Sequence, residues 1–434
     1  MDPTNEVLPP RGHLPLAWPV LLLFVAYPVW WLLGLTGFIW AILCVPMLLW
    51  LYWRPSIRVP SGFGIWLLFL LWMCASVIVL GDPTRLLVAG HRASIYVSAT
   101  VLLVYVYNLP ERVISRLVGA LAWFWAAIVV IGLVAIPFSS LEFSSVTERL
   151  LPGGLLNSEY VVDMVHVRLA QVHDFLGFPV GRPTGPFAYT NQWGSAFVLL
   201  LPFVVVAMSI RPRPWRWLGP LLGLVAIIPL VVSLDRGAWL SLTFGGVYVV
   251  VRMALRAQLG SVARILLVAS VLVVVVLATP LGGLFEDRLA TGHSNEGRLD
   301  IYGQVIDGVK EQPLFGYGGP REAQGNQYLP QLGTQGAFWL VLYSHGIPGA
   351  ALFVGFFVVV AWRSRRARDP IAFCSHVVIL IGLVQMPYYG MIPAGIHILM
   401  VAAALTLRPY ERSPSRAGET TPRHAGQPLR AGRA

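Results

Sequence analysis

Residues 231–242 read VVSLDRGAWLSL. Apolar sequence runs into this stretch and away from it, and each flank approaches the roughly 20 apolar residues that a helix needs to cross a bilayer. Asp235 and Arg236 interrupt it. An arginine beside hydrocarbon is costly unless something holds it there. Two readings follow. Arg236 pairs with Asp235 and snorkels to a membrane face, or it is a fixed cation in a cavity that opens at that face. The second suits a phosphate or diphosphate, because the planar guanidinium donates two parallel hydrogen bonds. Gly237 and Ala238 are small enough to let a ligand approach the backbone.

The chain around this stretch has the composition of a membrane protein. Its 434 residues are 56% hydrophobic and only 12% charged, where a soluble domain carries about 25% charged residues. The net charge of +11 does not indicate nucleic acid, because the positive residues fall in short connections between apolar runs, as membrane topology requires. Cys44, Cys74 and Cys374 lie inside apolar runs, and neither a disulfide nor a metal site is expected.

Working outward gives about twelve candidate transmembrane helices, near 14–33, 35–53, 63–81, 93–108, 117–137, 192–210, 217–233, 238–255, 265–281, 338–361, 370–388 and 391–407. The fold class expected is an all-α polytopic bundle, one domain over 1–408, followed by a disordered cytoplasmic tail over 409–434. With a cytoplasmic N-terminus, the inside connections carry Arg54 and Arg58; Arg112 and Arg116; Arg211, Arg213 and Arg216; Arg252, Arg256 and Arg264; and WRSRRARD at 362–369. Two long segments then lie outside, about 138–191 and 282–337, and they hold most of the acidic residues. The second contains Ile301, Val305, Ile306 and Val309 at helical spacing, a short amphipathic helix stopped by Pro313 and Gly316. A weaker stretch of the same kind runs over 155–177. LFGYGGP, residues 314–320, reads as a flexible turn.

Three further constellations accompany Arg236. In GRPTGPFAYTNQWGSAF, residues 181–197, Arg182 precedes turn formers, and Asn191 and Trp193 open a helix whose N-terminus favours anions. In EGRLDIYGQVIDGVKEQPLFGYGGP, residues 296–320, Arg298 and Asp300 begin the amphipathic helix. In QYLPQLGTQGAFWLVLYSHGIPGAALF, residues 327–353, Gln335 and Trp339 lead into a helix that carries His345, which reads as a bundle hydrogen-bonder rather than a catalyst.

The order of these motifs, RPTGPFAYTNQWG, SLDRGAWLSL, GRLDIYGQVIDGVKEQPLFGYG, LGTQGAFW and HGIPGAALF, resembles the O-antigen ligase and polymerase superfamily. The resemblance covers roughly residues 180–355. It implies a metal-independent membrane glycosyltransferase without a cofactor or a nucleotide sugar. The expected donor is a polyprenyl-diphosphate-linked glycan and the acceptor is a glycan or glycolipid hydroxyl, at the outer face of the cytoplasmic membrane and surrounded by membrane lipids. It makes Arg236 the diphosphate contact, with Arg298 and Asp300 beside it in catalysis. Arg182, Asn191, Gln335 and Trp339 are the expected substrate-binding residues.

One position departs from the family pattern. Ligases of this family carry a histidine just before the helix that Trp339 opens, and here Gln335 stands there. Glutamine is no general base. Asp300, Glu296, Glu286, Asp287 and His293 are alternative proton acceptors in the same segment, and the leaving diphosphate is another. A polytopic transporter or lipid-linked glycan flippase is the rival reading. Such proteins usually place ionisable residues or broken helices at mid-membrane.

Overall fold

The computed structural model describes residues 16–81, 83–173, 179–210, 214–279, 282–283, 286, 296–324 and 331–412. It is an α-helical bundle. Helices satisfy their own backbone polar groups, which hydrocarbon will not do for them. Each apolar stretch read from the sequence coincides with a helix or with two helices separated by a break.

The first stretch is split into α1 (Trp18–Val25) and α2 (Tyr27–Leu32). A left-handed turn at Gly34 (φ 75°) follows, then α3 (Ile39–Tyr52), α4 (Phe63–Ser76), α5 (Pro83–Asn108) and α6 (Glu111–Ala135). Two short helices, α7 (Val146–Leu150) and α8 (Glu159–Val165), precede α9 (Thr190–Ile210). Next come α10 (Pro214–Val225), α11 (Ile227–Val232), α12 (Arg236–Ala254) and α13 (Leu259–Leu277). The chain closes with α14 (Glu296–Glu311), α15 (Ala337–Ser364), α16 (Pro370–Gln385) and α17 (Ala394–Arg412). The breaks after α1 and α10 each fall just before a proline, Pro28 and Pro229, whose ring displaces the carbonyl four residues earlier. Among the described residues, six helices are long and apolar enough to cross a membrane, and five more are apolar but shorter.

The core is aromatic. Phe24, Tyr27, Trp40, Phe124 and Phe187 pack together between α1, α3, α6 and the chain leading into α9. Trp66, Phe69, Tyr96, Phe353 and Phe356 join α4, α5 and α15. Tryptophan and phenylalanine are the largest apolar surfaces available, and they fill the gaps between helices of irregular length.

The two ends of the bundle differ. At one end arginines cap helix carbonyls: Arg54 donates to Asn108 O (2.6 Å), and Arg408 donates to Val106 O and Leu109 O (both 2.7 Å). Arg252 and Arg256 donate to the carbonyls of Arg365 and Ala367. C-terminal carbonyls and the negative end of the helix dipole both favour cations. The basic connections are therefore structural caps as well as topology signals.

The other end carries the two long polar segments. In the first, the helix expected over 155–177 stops at Val165 and becomes sheet. Strand β1 (Glu142–Ser144) pairs antiparallel with β2 (His166–Arg168), and β3 (Ala170–His173) pairs with β4 (Val180–Pro183). Val167 and Leu169 are buried, while His166 and Arg168, which alternate with them, are only half-buried. That is a period of two, which overrides the helical reading. A capping box of Ser145 and Glu148 starts α7. Tyr189 donates to Asp163, and burial, reinforced by that carboxylate, pushes its phenol well above the ordinary tyrosine value, so it remains a donor.

In the second segment, α14 packs Ile301, Val305 and Val309 against Tyr317, Leu332 and Tyr343. The stretch 313–318, expected to be a flexible turn, is instead wedged into α15. Gly346 has φ 70° and ψ −174° and breaks α15 internally. The carbonyls of Tyr343 and Ser344 accept from Tyr317 N (3.0 Å) and Gly318 N (2.8 Å), and Ile347 N donates to Pro313 O (2.8 Å). Trp72 of α4 donates to both Leu314 O and His345 O. Tyr317 in turn donates to Glu311 (2.8 Å), and burial followed by that bond pushes its phenol up to about 12. His345 shares a hydrogen bond with Ser76 Oγ (2.6 Å), the bundle role expected of it.

A Cβ at position 346 would run into Leu314 O and Pro313 O, on a backbone that side chains rarely adopt. Gly346→Ala is expected to cost at least about 2 kcal/mol. Thermal unfolding in detergent should show a melting point several degrees lower, and an unchanged one would mean that this junction tolerates strain.

Candidate functional site

The stretch 231–242 is a helix break. Helix α11 ends at Val232, Leu234 adopts φ 51°, and α12 begins at Arg236. Leucine has no intrinsic reason to be left-handed, so the surroundings must impose the turn. Leu234 is fully buried. Ser233 Oγ donates back to Leu230 O (2.7 Å), and Asp235 N donates to Ser233 Oγ (3.3 Å). Arg182, on β4, donates from Nε to Ser233 O (2.6 Å). The two arginines singled out in separate motifs are thus brought to one turn.

Asp235 is buried and caps α12. Its Oδ1 accepts from Gly237 N (3.1 Å), from Ala238 N (3.4 Å) and from the Tyr389 hydroxyl (2.6 Å). It therefore holds the helix start rather than simply neutralising Arg236. Arg236, half-buried, is fixed at the first turn of α12. Gly237 is close-packed: a Cβ there would lie 2.7 Å from the Tyr389 hydroxyl and 2.9 Å from the Tyr388 ring. Tyr388 shares a hydrogen bond with Ser241 Oγ one turn along α12 (2.8 Å).

The connection MPYYGMIP, residues 386–393, joins the site's parts. Ala337 N at the start of α15 donates to Tyr389 O (2.7 Å), and Phe338 N donates to Met386 O (2.9 Å). Tyr302 of α14 donates to Pro387 O (3.3 Å) and stacks on Trp339, ring centroids 4.6 Å apart. Gln192 of α9 donates to Ile392 O (2.9 Å). Asn191, Gln192, Ser195, Phe187 and Tyr389 line a small cavity between α9 and this connection.

Of the residues expected from sequence, Arg236, Arg182, Asn191 and Trp339 converge here. Gln335 is half-buried, one residue before Gly336, which packs directly on Pro387 O. Asp300 does not join them. It is exposed on α14 and makes no hydrogen bond or ion pair among the described residues. The backbone of Arg298 lies in the first turn of α14, but its side chain, with Glu296, Asp287 and His293, lies outside the described residues. Tyr388 and Tyr389 escaped the sequence reading. Proline, glycine and paired tyrosines between two apolar runs were the available signal.

The helix starts around the site are already occupied. Asp235 takes two amides of α12, the carbonyls of Met386 and Tyr389 take two of α15, and Thr190 N of α9 donates to Gln171 Oε1 (3.2 Å). An incoming anion is left with the arginine side chains.

A polytopic membrane bundle with a break that presents a fixed arginine defines the class. Residues 221–354 match the family described as O-antigen ligase; the match covers less than half of the chain and supports its likeness to membrane enzymes of polysaccharide assembly. It contains Arg236, Gln335 and Trp339 but ends before Tyr389 and begins after Arg182. No curated protein matches the chain.

Tyr389→Phe removes the hydroxyl from Asp235 while keeping the ring. Loss of one hydrogen bond to a buried carboxylate is worth about 1.5–3 kcal/mol. The expected result is a lower melting temperature together with weaker activity. Full activity in this variant would show that the Asp235 cap holds Arg236 unaided.

Proposed function

We propose that this protein transfers a glycan from a polyprenyl-diphosphate carrier to an acceptor hydroxyl, at the outer face of the cytoplasmic membrane, in surface polysaccharide polymerisation or ligation. The observation that carries this reading is Arg236 at a helix break whose geometry is held by Asp235, Tyr389 and Arg182. Preorganised cations stabilise charge that develops on a leaving group without reorganising during the reaction. The end of the bundle with the sheets and α14 then faces outward, and the arginine-capped end faces the cytoplasm.

In this mechanism the acceptor oxygen attacks the anomeric carbon, and the bond from that carbon to the diphosphate oxygen breaks. Arg236 holds the diphosphate, with Arg182 bracing the turn from behind through Ser233 O; Arg298 is the second arginine assigned to the reaction. Asp235 is committed to three donors and serves as a cap. Gln335 is no general base and Asp300 is exposed on α14; in this reading the acceptor proton passes to the departing diphosphate. Asn191, Gln335 and Trp339, the last stacked on Tyr302, contact the sugars. No metal ion takes part.

The test is the profile of polyprenyl-linked glycans and surface polysaccharide in a deletion strain rescued with wild type, Arg236→Ala or Arg236→Lys. Only wild type should clear the accumulated lipid-linked donor. Lysine supplies a point charge and not the bidentate fork, so Arg236→Lys should lose most activity, about 100-fold for two charge-assisted bonds. Accumulated single repeats would mark a polymerase and accumulated long chains a ligase. An unchanged profile on deletion would refute the proposal.

A further inference from the structure

The helices that open the chain are short for a bilayer. Helix α3 has 14 residues and rises about 21 Å, where the hydrocarbon layer is about 30 Å thick. Tilt only lowers that rise. One end of α3 is fixed in height. Arg54, just past it, donates to Asn108 O at the arginine-capped end of the bundle, and Tyr52 and Trp53 beside it are exposed, as aromatic residues at an interface are. Helix α1 starts at the same end, where the Tyr105 hydroxyl donates to Leu16 O. Together α1 and α2 rise no further than α3 does, about 22 Å. Leu33, the residue after α2, therefore lies below the level of the opposite headgroups.

Helix α7 stands on this point. Thr147 donates to Leu33 O from both its amide (3.1 Å) and its hydroxyl (2.6 Å). A carbonyl past the end of α2, which no amide of that helix reaches, is thereby satisfied. Ser145 presses on the turn at Gly34, where a Cβ would collide with its Oγ. Successive helix positions turn by about 100°. With Thr147 facing down onto α2, Glu148 faces one side, Val146 and Leu150 face the other, and Arg149 points nearly straight up. The contacts agree with this wheel. Glu148 is bonded to His166 of β2 (3.0 Å), so its side is the protein side. Val146 and Leu150 are 54% and 80% exposed, and Arg149 is exposed as well.

Depth identifies what covers that apolar side. α2, on which α7 stands, itself exposes Val29 and Leu32 as lipid-facing residues, and Leu33 O sets α7 no higher than the top of the acyl chains. We infer that α7 is an interfacial anchor whose partner is the lipid bilayer. Val146 and Leu150 lie among the acyl chains at the top of the leaflet opposite the arginine-capped end, and Arg149 lies in the headgroup layer above them. The anchor fills the height that α1, α2 and α3 leave. Glu148 passes its position on to the sheets: it holds His166 on β2, the chain continues into β3, and β3 pairs with β4, which carries Arg182. The anchor shares no residue with the Arg236 turn and is independent of the transfer chemistry proposed there.

The experiment places the purified full-length protein in phospholipid nanodiscs, with Cys44, Cys74 and Cys374 replaced by alanine and a fluorophore attached at Leu150→Cys or at Arg149→Cys. An interfacial face lies about 5–10 Å into the boundary between headgroups and acyl chains. The label at 150 should therefore lose most of its emission to phospholipid brominated near the top of its acyl chains, and little to aqueous iodide. The label at 149 should respond chiefly to iodide. A benzophenone amino acid at position 150 of the otherwise native chain needs no cysteine replacement, and its photoproduct should carry the mass of a phospholipid. Iodide quenching at 150 as strong as at 149 overturns the proposal and puts the apolar face of α7 in water. Protection of 150 from both quenchers, with photoproducts that join two protein chains, overturns it as well and makes the face a contact between copies.

Discussion

A helix that breaks inside a membrane bundle leaves amides and carbonyls that hydrocarbon will not satisfy. Among the breaks in the described residues, two lie at the candidate site's end of the bundle, at Leu234 between α11 and α12 and at Gly346 within α15. At each, a polar segment from elsewhere in the sequence supplies the missing partners. Residues 313–318 answer the α15 break by exchanging backbone hydrogen bonds with Tyr343, Ser344 and Ile347. Arg182 answers the α11 break at Ser233 O, and Tyr389 answers it at Asp235. The long polar segments are therefore parts of the bundle itself. Their docking is what turns two defects in helices into fixed geometry.

The connection at 386–393 makes the two breaks one assembly. Through its backbone it receives the amides that open α15, and through the Tyr389 hydroxyl it holds the cap of α12. The Gly237 backbone presses against both tyrosines so closely that a single added carbon would displace them. A shift of α15 or α14 is felt at Arg236 through about three bonded contacts. In the function proposed above, this chain of contacts links an acceptor entering beside α14 to a donor held at α12.

The bundle was legible in the sequence because apolar length is a strong signal: each apolar run became a helix, and the basic connections sit together at one end. Arg182 and Arg236 were legible as charges out of place. Their convergence was not, because it is made by a main-chain carbonyl, which any residue provides. The same holds for 313–318, whose glycines suggested flexibility. In the fold their positive φ angles, 61° at Gly316 and 68° at Gly318, let the backbone lie flat on α15. Residues 166–173 were misread as helical, although Val167 and Leu169, two apart, share a face only in a strand. Asp300 looked catalytic by its place in a motif, but α14 turns its buried face at Ile301 toward α15 and leaves Asp300 exposed.

Gln335 stands where the O-antigen ligase pattern leads one to expect a histidine, and its setting explains how that departure is accommodated. The residue that follows it, Gly336, fits against the carbonyl of Pro387 with no room for a side chain, and the next two amides are bound to that same connection. Position 335 is thus held at the edge of the site by its neighbours, whatever side chain it carries. A base there would have to be chosen for its chemistry alone, because the fold does not need it. Arg236 is in the opposite position: its place is enforced by a buried cap, a left-handed leucine and a second arginine. In the transfer proposed above, Arg236 is the group that must not move as charge develops on the leaving diphosphate, and structural investment on that scale fits that role. The proton, which a leaving-group oxygen can accept, demands no such fixed partner.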